Sequence, residues 1–203
     1  SLDEAATLPC AAVTAWAALE RAGVGAGDTV LVQGTGGVSV FALQLAKLRG
    51  ARVIATSSAE AKRARAGELG ADEVIDYVGD PNWGKTARGM TGGEGVDAVI
   101  EVGGAQTLAQ SLRAVRPGGT IALIGILTGN ETTTLLTPIL MQQIRVQGIL
   151  VGSTDDFEAM NRAIALHGLR PVVDRVFPRE QIREAFDHMA GGAHLGKIVV
   201  RLP

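Results

Sequence analysis

The apolar positions of this chain switch repeatedly between two spacings. Short runs rich in valine and isoleucine alternate with longer stretches in which apolar residues recur every three or four positions. Val30, Leu31 and Val32 form the first run, and Val38, Phe41, Ala42, Leu45 and Leu48 follow on one helical stripe that Gly50 stops. The alternation then predicts strands at Arg52 to Thr56, Glu73 to Tyr77, Val96 to Val102, Thr120 to Ile126 and Val146 to Val151. Between them it predicts helices over Ala59 to Leu69, Asn82 to Met90, Thr107 to Val115 and Leu135 to Gln143. Six strands joined by helical crossovers predict an α/β fold built on a doubly wound parallel sheet. Asp3 to Arg21 reads as a helical lead-in broken at Pro9. A tail follows: a helix over Asp155 to His167, a strand at Val172 to Phe177, a helix over Arg179 to Ala190 and a strand at Lys197 to Leu202.

The first strand runs directly into Gly34-Thr35-Gly36-Gly37-Val38-Ser39 and then into a helix. Such a junction gathers backbone N–H groups and the positive end of a helix dipole, which suits a pyrophosphate. Gly34 permits the tight turn and Gly36 the close approach of a ligand. Ser39 takes the third glycine position of the dinucleotide fingerprint, which serves helix-to-strand packing and tolerates a small side chain. The pattern therefore predicts a six-stranded Rossmann sheet that binds a dinucleotide; the competing reading is an ordinary βα turn without a ligand.

The end of the second strand bears on which dinucleotide. An acidic residue there would accept hydrogen bonds from the adenosine ribose and repel a 2′-phosphate. This chain carries Thr56-Ser57-Ser58 instead, with Lys62 one helical turn on and Arg63 and Arg65 beside it. Hydroxyls and a cation favour NADP(H) over NAD(H). Alternatively, Ser57 and Ser58 cap the following helix and Lys62 is a solvated surface charge.

Composition removes other classes. Nineteen basic against twenty-one acidic residues leave a net charge of −2, no electrostatic footprint for nucleic acid or an anionic membrane. No apolar run reaches transmembrane length, and Cys10 is the only cysteine, so no disulfide framework exists. A cytoplasmic location is expected. The Tyr-x-x-x-Lys pair of short-chain dehydrogenases is absent, because Tyr77 is the only tyrosine and Pro81 stands four residues on.

Five segments carry a family resemblance: Ala6-Thr7-Leu8-Pro9-Cys10-Ala11-Ala12-Val13-Thr14-Ala15-Trp16, Gly27 through Val38, Leu69-Gly70-Ala71-Asp72, Arg116-Pro117-Gly118-Gly119 and His194-Leu195-Gly196-Lys197-Ile198-Val199-Val200. In this order they resemble the medium-chain dehydrogenase/reductase superfamily, which includes zinc-type alcohol dehydrogenases and quinone oxidoreductases. The resemblance implies hydride transfer between NAD(P)(H) and a small-molecule alcohol, carbonyl, quinone or activated alkene. It implies that Thr14 faces the nicotinamide carboxamide, Val38 the nicotinamide ring, and Ser57, Ser58 and Lys62 the adenosine 2′-phosphate. Val102-Gly103-Gly104, Gly125-Ile126-Leu127 and Ile149-Leu150-Val151 would line the cofactor, and Lys197 would reach a cofactor phosphate. Cys10 falls where zinc-dependent members place a catalytic zinc ligand, but the favoured expectation is a small buried thiol, with zinc absent. Members of the family begin with a catalytic domain, and by this resemblance the chain is expected to start after it. Residues 1–151 are thus expected to form the cofactor domain, and 152–203 to complete the missing domain. A homodimer joined edge to edge through strand six is expected. No catalytic residue is assigned, and a non-catalytic NADPH-binding or scaffolding module is the alternative function.

Overall fold

The computed structural model of the protein describes residues 1–202. A short helix α1 (Leu2–Ala5) and a π-helical turn (Leu8–Ala12) lead into α2 (Val13–Ala22), with Pro9 near the start of the π-helical turn. The alternating part follows as β1 (Thr29–Gln33), α3 (Gly37–Leu48), β2 (Arg52–Ser57), α4 (Glu60–Glu68) and β3 (Glu73–Asp76). It continues through α5 (Trp83–Gly89), β4 (Val96–Glu101), α6 (Leu108–Ala114), β5 (Val115–Leu123), α7 (Thr137–Met141) and β6 (Arg145–Gly148). The tail comprises α8 (Thr154–His167), β7 (Val173–Pro178), α9 (Ile182–Ala190) and β8 (Lys197–Arg201).

The main sheet runs β3-β2-β1-β4-β5-β6 with every neighbour parallel, the predicted doubly wound arrangement. Its central strand explains why the apolar run of β1 has no polar alternation. Val30 and Val32 enter a core formed with α2 and α3, whereas Leu31 enters a second core with Ile54, Val99, Trp83 and Leu112. A strand covered on both faces must be apolar at successive positions. Met160 of α8 is fully buried in the first core, so the tail helix is part of the packing of the sheet.

Several boundaries differ from the sequence expectation. β5 begins at Val115 instead of Thr120, because Arg116-Pro117-Gly118-Gly119 is absorbed as an irregularity in its pairing with β4. β6 ends at Gly148, three residues short of Val151, whose φ of 56° takes the backbone out of strand geometry. β7 and β8 find a partner in each other, forming a parallel pair apart from the main sheet. An isolated bridge between Gly36 and Gly196 joins that pair to the glycine turn.

Candidate cofactor site

At the end of β1 the chain turns through Gly34, whose φ of 70° is strained for any residue with a Cβ. Gly36 then caps α3 in extended backbone with no side-chain hydrogen bond, leaving the first N–H groups of the helix without a capping side chain. Ser39 does more than pack: its hydroxyl donates to the Gln33 carbonyl at 2.6 Å, tying the first turn of α3 to the end of β1. Thr56 on the neighbouring strand accepts from the Gly34 N–H at 3.3 Å.

Gly36 and Gly37 have different surroundings. A Cβ on Gly37 would stand 2.6 Å from the Lys197 Cδ, so the lysine stem lies directly over this residue with its Nζ near the start of α3. A Cβ on Gly36 would meet nothing within 4 Å, and its φ of −73° is open to any residue. The space in front of the first turn of α3 is therefore open.

Two adjoining cavities open beside this turn. The larger, about 440 Å³, is bounded by Gly34, Gly36, Gly37, Val38, Val102, Gly103 and Leu127, with Tyr77 and Trp83 opposite. The smaller, about 190 Å³, shares Gly34, Gly36 and Tyr77 and is closed by Thr35, Ser57, Ser58, Lys62, Gly192 and His194. Neither serine caps α4, since its N-cap is Ala59 and receives no side-chain hydrogen bond. Of the two arginines that the sequence reading put beside Lys62, Arg63 pairs with Asp76 at 3.1 Å and donates to the Ser58 carbonyl at 3.0 Å, and Arg65 pairs with Glu68.

Other expected residues lie away from both cavities. Thr14 is buried on α2 and donates to the Cys10 carbonyl at 2.7 Å. Gly104, Gly125 and Ile126 belong to the loops after β4 and β5 without bounding either cavity. Ile149 is buried, Leu150 is exposed and Val151 is half-buried. Cys10 contradicts the expectation of a buried thiol. It is exposed, because Ala11 and Ala12 take the inward positions of the π-helical turn. No group of three or more His, Cys, Asp or Glu side chains with metal-binding geometry occurs among the described residues.

The loop after β4 is organised by a residue that the sequence reading missed. Glu101 is completely buried at the end of β4. One carboxylate oxygen accepts from the Gly103 N–H at 2.8 Å, the Gly104 N–H at 3.0 Å and the Thr107 hydroxyl at 2.6 Å. The other accepts from the Gln33 amide at 2.7 Å and from Ser111. Gln33 returns its carbonyl oxygen to the Val102 and Gly103 N–H groups. A charged residue closing an otherwise apolar central strand was the available signal, because such a group is retained only with partners. The loops themselves meet backbone to backbone: a Cβ on Gly125 would lie 2.2 Å from the Val102 carbonyl oxygen.

Residues 37–165 match the family model described as zinc-binding dehydrogenase. The zinc-type alcohol dehydrogenase-like protein C1773.06c of Schizosaccharomyces pombe is 44% identical over 209 residues, covering 100% of this chain and 60% of that protein. A putative alcohol dehydrogenase from Sinorhizobium meliloti 1021 superposes with a TM-score of 0.94 at 43% identity, over 98% of this chain and 58% of that one. A structure described as an NAD-dependent alcohol dehydrogenase gives 0.93 at 38% identity, over 100% and 60%. This chain therefore spans about 60% of the length of these relatives. With its parallel sheet, glycine turn and matched sequence, it belongs to the zinc-binding dehydrogenase family and carries the cofactor-binding part of a medium-chain dehydrogenase/reductase.

Proposed function

We propose that the chain binds NADP(H) along the two cavities and supplies the cofactor half of an oxidoreductase acting on an alcohol or carbonyl, a quinone or an enone. The open N-terminus of α3 is the observation that carries this reading. No side chain caps it and a Cβ on Gly36 would meet nothing within 4 Å, which leaves the space that the close approach of a pyrophosphate requires. Lys197, laid across Gly37, is then a counter-charge for the diphosphate. Val38 orients the nicotinamide, with Val102, Gly103 and Leu127 on the wall of the same cavity. A bound nicotinamide supplies hydride chemistry; the protein fixes which face of the ring is presented.

The NAD-dependent neighbour leaves the choice of dinucleotide to local chemistry. Ser57, Ser58 and Lys62 bound one pocket that contains no carboxylate, and this favours the 2′-phosphate. Fluorescence titration of the chain should give an NADPH affinity at least tenfold above that of NADH. Lys62→Ala should weaken NADPH by about tenfold, the size of one charge-assisted hydrogen bond, and leave NADH unchanged. Equal binding of the two nucleotides, or indifference to Lys62→Ala, overturns the assignment. With NADPH and a panel of carbonyls and enones the chain alone should show no turnover, because substrate-polarising groups belong to the catalytic half. Sustained NADPH consumption would show a complete active site within these residues.

Two exposed apolar surfaces suit the partners of this reading. Ile182, Phe186 and Met189 of α9 are exposed beside β7, where a catalytic domain would cover them. At the other end β6 is exposed along its whole length, with Val146, Leu140, Met141 and Leu150 uncovered. A free, apolar strand edge pairs readily with a second copy. Light scattering at micromolar concentration should report a dimer; a monomeric mass would remove strand six as the joint.

A further inference from the structure

The smaller cavity has one wall that comes from the far end of the sequence. Gly192 and His194, in the loop between α9 and β8, close it opposite Ser57 and Ser58. The loop is held there by the Lys62 ammonium, which donates to the Gly192 carbonyl. His194 itself is only partly engaged. Its Nδ1 is buried without a hydrogen-bond partner, and its ring lies 6.2 Å from that of His188. His188 in turn hydrogen-bonds Asp174 at 2.7 Å, so the carboxylate nearest to His194 is already committed, to His188 and to the Leu195 N–H.

The charged and titratable groups facing His194 come from four elements: Lys62 of α4, Asp174 of β7, His188 of α9 and Lys197 of β8. Burial foremost, then the Lys62 ammonium, holds the His194 imidazole below its ordinary range, with Asp174 pulling the other way. An imidazole in this setting is neutral near pH 7. Near that pH it gains a proton when negative charge enters the pocket.

Resting on the reading that this pocket takes the adenosine 2′-phosphate, we propose that His194 is a second specificity-determining residue for NADP(H), which becomes protonated as the phosphate monoester enters. Proton uptake on binding makes the affinity rise as pH falls. The sign is diagnostic. A phosphate monoester has its own second ionisation near about pH 6, and its protonation weakens attraction to cations, so the ligand alone gives the opposite slope. NADH, lacking the phosphate, draws no proton and has no slope.

The test is a titration of the chain with NADPH and with NADH from about pH 6.5 to about pH 8.5, above the second ionisation of the phosphate at about 6. NADPH should bind about five- to tenfold more tightly at the acid end, with NADH flat, a slope bounded by the tenfold per pH unit of one linked proton. His194→Gln keeps a polar planar side chain that cannot titrate in this range, and should abolish the slope and bring the NADPH affinity at the acid end down to that at the basic end, narrowing the preference over NADH there. In the unmodified protein, the imidazole ¹⁵N signals of His194 should move to charged-form positions at pH 7 on adding NADPH but not NADH, a readout independent of how any variant folds. If Lys62 proves necessary for NADPH preference while the pH slope survives His194→Gln, or if the imidazole stays neutral in the complex, the His194 proposal fails and the phosphate site stands. If NADH binds as well as NADPH at every pH and Lys62→Ala changes nothing, the underlying reading of the pocket fails first.

Discussion

Replacing Glu101 by alanine should lower the unfolding free energy by about 4 kcal/mol, the upper end of single-substitution effects. The reason is the number of donors that lose their only charged partner. Five groups point at this carboxylate, and among them Gly103 and Gly104 have buried amides at the edge of the cofactor cleft. Each buried donor left without an acceptor costs about 1–3 kcal/mol, and partial relaxation keeps the total below the sum. Glu101→Gln separates charge from shape. Its carbonyl can keep Gly103, Gly104 and Thr107, but its amide would face the Gln33 amide donor to donor, so about 1–3 kcal/mol should be lost. Chemical denaturation of the three proteins checks this order through the shift in midpoint. An alanine variant as stable as the parent would mean that water or a rearranged loop can replace the carboxylate.

Ser57→Asp should reverse the order of the two nucleotides. Ser57 is buried at 2% exposure on the pocket wall, so a carboxylate there cannot swing far into solvent. Against a doubly charged phosphate the repulsion should weaken NADPH by about a hundredfold, since like charges brought together at an interface cost several kcal/mol and each 1.4 kcal/mol is tenfold. The same carboxylate can accept from the ribose hydroxyls of NADH, whose affinity should hold or improve. Parallel titrations with the two nucleotides read the reversal directly. Retained NADPH preference would put the phosphate somewhere other than this pocket.

The alternation of apolar periods was enough to recover the order of elements, because each central strand is buried on both faces and each helix on one. What periodicity did not carry was local backbone choice. Pro117-Gly118-Gly119 looks like a turn before a strand, yet the strand begins at Val115, since register with β4 outweighs local preference. Val151 gives no sign in its type of a left-handed backbone. Spacing within one segment singled out Gly34, Gly36, Ser57 and Lys62, and the fold brings these four to one cavity. His194 and Glu101 were not legible as site residues. Each acts through partners more than sixty residues away or contributed by another element, and no local pattern encodes that.

The bridge between Gly36 and Gly196, with the Gly196 N–H donating to Thr35, spans about 160 residues of sequence. Contacts this distant close late, because the intervening chain must be ordered before they are rewarded. On a ribosome adding about 5–20 residues per second, the glycine turn emerges roughly ten to thirty seconds before the strand that completes it. The larger cavity, lined only by residues 33–128, can thus be in place before the loop at Gly192 and His194 closes the smaller one. A nucleotide that touches both would favour the closed arrangement, by mass action of free cofactor on the folded form.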